Sequence, residues 1–138
     1  MKKIVFFGFV FALLALPSYA AAATNVYSGD FMIEPSSIKG DSKLGLFQVI
    51  LFHGKVVTRG STLTCTTSGV HYNCSKKGAN YVWTQQFHVK NAGVNCVSTS
   101  TFTIGAASTA TVRGTYKYKE ICGSNRLQAT YTATLQHS

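Results

Sequence analysis

"ATVRGTYKYKEIC", residues 110–122, decides how this chain folds. Ala110, Val112, Gly114, Tyr116 and Tyr118 fall on one parity; Thr111, Arg113, Thr115, Lys117 and Lys119 fall on the other. Successive side chains of a β-strand point to opposite faces, so a period of two separates a dry side from a wet one. The stretch therefore reads as a strand with an aromatic inner face and a basic outer face.

The same period spreads outward in both directions. After "CGSN" (122–125), a tight turn, "RLQATYTATLQ" sets Leu127, Ala129, Tyr131, Ala133 and Leu135 against a row of Thr and Gln. Upstream, "VNCVSTSTFTI" (94–104) and "YVWTQQFHVK" (81–90) alternate too; Tyr81, Trp83, Phe87 and Val89 share one side, and Gln85 on that side calls for a hydrogen-bond partner. A first strand runs from Val26 to Ile33, followed by the turn-rich "EPSSIKGDSK" (34–43). No stretch shows a helical period. The pattern predicts an all-β fold of seven to eight antiparallel strands, a sandwich or a small up-and-down barrel.

One segment departs from clean alternation. "LGLFQVILFHGKVV" (44–57) is apolar on both parities, with Leu46, Ile50 and Phe52 against Phe47, Val49 and Leu51. Such a strand is covered on both sides or presents one face to something else. Phe47, Val49 and Leu51 are the candidate apolar interface.

The chain begins "MKKIVFFGFVFALLALPSYAAAA". Two lysines, an apolar run too short to span a bilayer and a Ser18-Tyr19-Ala20 cleavage signature read as a secretory signal peptide. Residues 1–20 are the predicted leader, with Ala22 as a later cleavage point, and 21–138 form a single all-β domain without a membrane-spanning segment. Export to the periplasm or the cell exterior follows. There, the four cysteines, Cys65, Cys74, Cys96 and Cys122, are expected as disulfides. "CTTSGVHYNC" reads as a hairpin turning near Ser68 to His71 with Cys65 facing Cys74, which leaves Cys96 for Cys122. His71 stands three residues before Cys74, but no C-x-x-C occurs, so no metal site is expected.

Charge narrows the partners. Lys2 and Lys3 lie in the leader; the other 11 of 13 Lys and Arg against four acidic residues leave a net charge near +7. That balance favours an anionic envelope component, a glycan or an acidic protein target. Arg113, Lys117 and Lys119 form a basic row, and Lys90 and His88 join it if their strand lies nearby. Nucleic acid is disfavoured, because Tyr116 and Tyr118 sit on the face opposite the lysines, where they cannot stack on bases beside them. Threonines form further outward rows at 62/64/66, 99/101/103 and 130/132/134.

Catalysis finds little to stand on. Asp30, Glu34, Asp41 and Glu120 are the only acids, and there is no G-x-S-x-G elbow, phosphate loop or dinucleotide fingerprint. The expectation is a small, exported, basic, non-enzymatic binding protein with no cofactor. The alternatives are a secreted inhibitor or host-directed factor that binds one protein target, and a carrier of a small apolar ligand.

Overall fold

The computed structural model describes residues 21–41, 45–91 and 93–138; the expected leader, residues 1–20, lies outside them. Nine strands follow in chain order: β1 (Ala23–Ile33), β2 (Lys39–Gly40), β3 (Val49–Arg59), β4 (Thr62–Thr67), β5 (Val70–Lys77), β6 (Asn80–Asn91), β7 (Val94–Gly105), β8 (Thr111–Cys122) and β9 (Asn125–His137). All pairings are antiparallel and, β2 aside, sequential neighbours pair along the chain. β1 pairs with β3 on one side and β9 on the other, and this double pairing closes an eight-stranded barrel. Closure settles the choice between sandwich and barrel. The two-residue β2 was hidden in the turn-rich segment; it lies along β9, with Lys39 opposite Gln128.

Parity sorts the wall into inside and outside. Tyr27, Phe31, Phe52, Val56, Trp83, Phe102, Ile104, Val112, Tyr116, Tyr131 and Leu135 fill the interior. Their rings touch in a chain: Trp83 stacks on Phe102 with centroids 5.5 Å apart, Phe102 on Tyr116 at 4.6 Å, and Tyr116 meets Tyr131 at 5.3 Å. Such contacts add about 0.5–1.5 kcal/mol each to simple burial. Gly114 makes room for this packing, since a Cβ there would sit 2.9 Å from the Phe31 ring and 3.0 Å from Leu135. Threonines, lysines and glutamines cover most of the outside. Apolar in and polar out is the reverse of a membrane-spanning barrel, whose outer band is apolar.

Both disulfides form, Cys65–Cys74 and Cys96–Cys122. The first differs from expectation in register. Ser68 and Gly69 both take positive φ, 49° and 80°, so the hairpin turns in two residues and Thr67 faces Val70. Cys65 therefore faces Tyr72 and reaches Cys74 diagonally, with Cα atoms 5.7 Å apart. A shift of two keeps both cysteines on the inner face, which is why the pairing survives it. Cys96 and Cys122 are direct partners in the β7–β8 ladder.

Strand β3 begins at Val49, later than the sequence suggests. The residues just before it form no strand; instead, the Tyr131 hydroxyl donates to the Phe47 carbonyl at 2.8 Å and holds this approach over one barrel mouth.

Candidate functional site

The outer wall of β7, β8 and β9 carries a groove of 540 Å³. Its floor follows directly from the ladder register. Lys117 lies between Thr101 and Thr130, and Lys119 between Thr99 and Gln128. Its side is the arm that leaves β1, residues 34–41, which contributes Ser36, Ser37 and Lys39. Three hydrogen bonds tie the arm to β9, and a fourth braces it internally. Glu34 N–H donates to the Thr130 carbonyl at 2.9 Å, and Asp41 N–H to the Arg126 carbonyl at 2.7 Å. Ser37 Oγ donates to the Glu34 carbonyl at 2.6 Å and accepts from Thr130 N–H at 2.8 Å. Gly40 permits the close approach, because a Cβ there would overlap the Arg126 carbonyl and its φ is +103°.

Three ammonium groups thus share one concave surface with five serine and threonine hydroxyls and no carboxylate in its lining. Lys39 and Lys119 stand on either side of Gln128, two strand spacings or about 10 Å apart by backbone geometry. Lys117 and Lys119 are two residues apart on one strand, about 7 Å. A lone anion is too small to meet all three. A chain carrying several spaced anionic groups matches them.

The basic row expected from sequence is divided by the structure. Lys117 and Lys119 come together in the groove. Arg113, four residues away along β8, faces Thr134 and lines a separate 520 Å³ groove with Asp30 and Glu34. His88 and Lys90 project from the outer face of β6, with β7 in between: His88 faces Val97, which faces Ile121. Lys39 is the member that sequence reasoning missed. It sits in a segment with no periodicity, and only the pairing of β2 with β9 brings it alongside the lysines.

The threonine rows are also divided. Thr99, Thr101 and Thr103 share a surface with Thr130, Thr132 and Thr134, separated by β8, and the Thr84 and Thr101 hydroxyls bond at 3.1 Å. Thr62, Thr64 and Thr66 lie on β4, three strands from β7.

The two-sided strand is resolved as well. Phe52, Gly54 and Val56 point inward and are buried. Phe47, Val49 and Leu51 are exposed by 78%, 40% and 80%, and Met32, which faces Val49 across the β1–β3 ladder, by 52%. Asp30 faces Leu51, and Glu34 follows the end of the same strand. This wall is apolar with acidic neighbours, unlike the basic wall beyond β9.

At one mouth of the barrel the lining turns polar. The Ser100 hydroxyl bonds with the Tyr116 hydroxyl at 2.8 Å, and Tyr118 donates to a Glu120 carboxylate oxygen at 2.7 Å. Gln85, opposite Ser100, is buried at the same level, and among the described residues no fully enclosed side-chain nitrogen or oxygen lacks a partner. Burial pushes the phenols of Tyr116, Tyr118 and Tyr131 upward, and the Glu120 carboxylate pushes Tyr118 further. Those three tyrosines and Ile50 enclose 110 Å³ beneath residues 45–47. Cys96, Glu120 and Cys122 converge here, but the thiols are bonded to each other and offer a metal no thiolate.

Compared with known proteins, the chain matches no family model, no curated protein and no solved structure.

Proposed function

We propose that this is an exported, non-enzymatic binding protein whose β7–β9 wall takes an anionic polymer of the cell envelope or its surroundings, a polyanionic glycan above all. The observation that carries the reading is the groove: Lys39, Lys117 and Lys119 meet over hydroxyls without a carboxylate in the lining. Hydroxyls and glutamine amides supply neutral hydrogen bonds for sugar or phosphate oxygens, and the lysines supply point charges free to follow a flexible chain. The two disulfides belong to an oxidising, extracytoplasmic compartment, where such polymers are found. Tyr118 lines the groove, but its ring packs against the core and its hydroxyl is engaged by Glu120, so it offers no free stacking platform beside the lysines, which weighs against nucleic acid.

Retention on immobilised heparin tests the groove against net charge. Replacing Lys39, Lys117 and Lys119 by alanine abolishes retention at moderate salt. Replacing Lys55, Lys76 and Lys77, three exposed lysines that line no part of the groove, leaves most of it. Equal losses in the two variants would reduce the groove to ordinary surface charge.

The second reading, a factor that binds one protein target, is favoured by a separate observation: Val49, Leu51 and Met32 stand exposed together on the β1–β3 wall, and Phe47, just before β3, is exposed as well. Apolar-ligand transport has less support. Aromatic rings fill the lumen, and the 110 Å³ at its mouth is well below the roughly 300–1,000 Å³ of typical ligand pockets.

A further inference from the structure

The barrel wall is incomplete along one strand. The ladder between β5 and β6 stops at Cys74 opposite Trp83, whereas β6 continues to Asn91 and pairs with β7 along its whole length. The β5–β6 hairpin closes at Lys77 opposite Asn80 around two residues. In such a turn the closing pair is hydrogen-bonded, and every second residue beyond it repeats that orientation. Even-numbered residues of β6 therefore aim their backbone groups away from β7. At Gln86, His88 and Lys90 these N–H and C=O groups lie along an edge that no described strand covers. The side chains around it are open: Gln86, His88 and Lys90 are exposed on the outer parity, and Phe87 and Val89 are exposed by 47% and 56% on the inner. A row of alternating donors and acceptors is met best by another extended backbone.

We propose that this edge is a homodimer surface, on which β6 of a second copy pairs antiparallel about a twofold axis at His88. Two conditions select that register. Inner faces must meet inner faces, and the residues exchanging hydrogen bonds must be the even ones on both copies. With the axis at His88, Gln86 faces the partner's Lys90 and Lys90 faces the partner's Gln86, so Gln86, His88 and Lys90 are all bonded. Phe87 then faces the partner's Val89, and Val89 the partner's Phe87, in the non-hydrogen-bonded pairs where Cα atoms approach to about 4.5 Å. Charge is accommodated too: each lysine lies beside a glutamine amide oxygen rather than another lysine. An axis at Phe87 would set Val89 against the polar Gln85 and place Lys90 opposite the partner's Thr84, a position that shares a groove with His71, Tyr72 and Asn73 of its own β5. The pairing makes one continuous sheet, β7–β6–β6–β7, across the axis. The lysine groove lies on the far side of β7 and stays open, so this inference is independent of the polymer reading.

Sedimentation equilibrium of the processed chain, from micromolar to millimolar concentration, tests it. A monomer–dimer equilibrium is expected, and higher salt strengthens it because two basic copies repel each other less when screened. Val89→Lys weakens association at least about tenfold, since it removes both apolar cross-strand pairs and adds like charge. His88→Pro also abolishes the dimer; it deletes an N–H that points away from β7 and leaves the β6–β7 ladder intact. Should the proline variant fail to fold, Val89→Lys and the salt response decide by themselves. Heparin retention of Val89→Lys stays at the parent level or above, which separates failure here from failure of the groove. The proposal is overturned by a chain that stays monomeric throughout, by a dimer indifferent to Val89→Lys, or by one that dissolves as salt rises.

Discussion

Strands β3 and β8 stand on opposite sides of the barrel closure and differ in one respect that matters. Their inner faces are built alike, with Phe52, Gly54 and Val56 on one and Val112, Gly114 and Tyr116 on the other. Each has a glycine that yields its place to a ring: a Cβ at Gly54 would collide with Phe52, and one at Gly114 would crowd Phe31. Their outer faces diverge at one end. β8 shows Thr111, Arg113, Thr115, Lys117 and Lys119 to water; β3 begins with Val49 and Leu51 beside Asp30 and turns basic only further on, at His53, Lys55 and Arg59. Inward positions answer to the common core and converge. Outward positions answer to whatever lies beyond the wall, so this is where function is to be sought.

The sharpest way to break the comparison is to substitute adjacent residues of β3. Phe52→Ala removes a ring that touches Phe31, Trp83 and Phe102, and is expected to cost about 3–5 kcal/mol in denaturant unfolding. Leu51→Ser, one residue away, is expected to stay within about 0.5 kcal/mol of the parent. A large loss at Leu51 would mean that its side chain is covered in solution. The staples come next. Replacing Cys96 and Cys122 by alanine should cost about 3.6 kcal/mol, and replacing Cys65 and Cys74 about 2.7 kcal/mol, on the chain-entropy model of loop closure. The longer loop, 26 residues of separation against nine, makes the first the larger loss.

A gentler perturbation is pH. Burial, aided by Tyr81, pushes the phenol of Tyr27 up to about 12. A group whose folded value is raised stabilises the fold fully below its unfolded value near 10, and that contribution fades as pH climbs through 12. Thermal unfolding should be insensitive to the tyrosines up to pH 9 and fall above pH 10. Unchanged stability at pH 12 would place Tyr27 in contact with water. The smallest effect on stability belongs to the outer face of β8. Lys117→Ala and Arg113→Ala should each shift unfolding by less than about 0.5 kcal/mol, yet only the first should weaken heparin retention. Equal weakening would mean that the Arg113 groove, with Asp30 and Glu34 in its lining, serves the polymer as well.

Much of this was legible in the residues, unevenly and for physical reasons. Alternation in 94–104, 110–122 and 126–136 gave strands within a residue or two of those observed, because each has one dry and one wet face. It could not choose between sandwich and barrel, since that rests on β1 reaching β9, a contact between the two ends of the domain. It assigned Phe87 and Val89 to the core by parity, whereas β5 ends its pairing before them and leaves them open. Lys39 was illegible because nothing periodic marks it, and Arg113 was grouped with Lys117 and Lys119 because spacing along one strand does not report the carboxylates on another. The apolar outer face of β3 was readable as an anomaly, and the structure shows which of its parities faces outward.

The claim at the centre is that Lys39, Lys117 and Lys119 act together on a polyanion. Calorimetric titration of the processed protein with heparin oligosaccharides over a range of salt tests it most directly. The account predicts that log affinity falls linearly with log salt, and that alanine at the three lysines lowers the magnitude of this slope by about two to three, as expected when each lysine releases about one counterion. The control triple at Lys55, Lys76 and Lys77 leaves the slope nearly unchanged. A slope that is the same in all three proteins, or that drops equally in both variants, would contradict it.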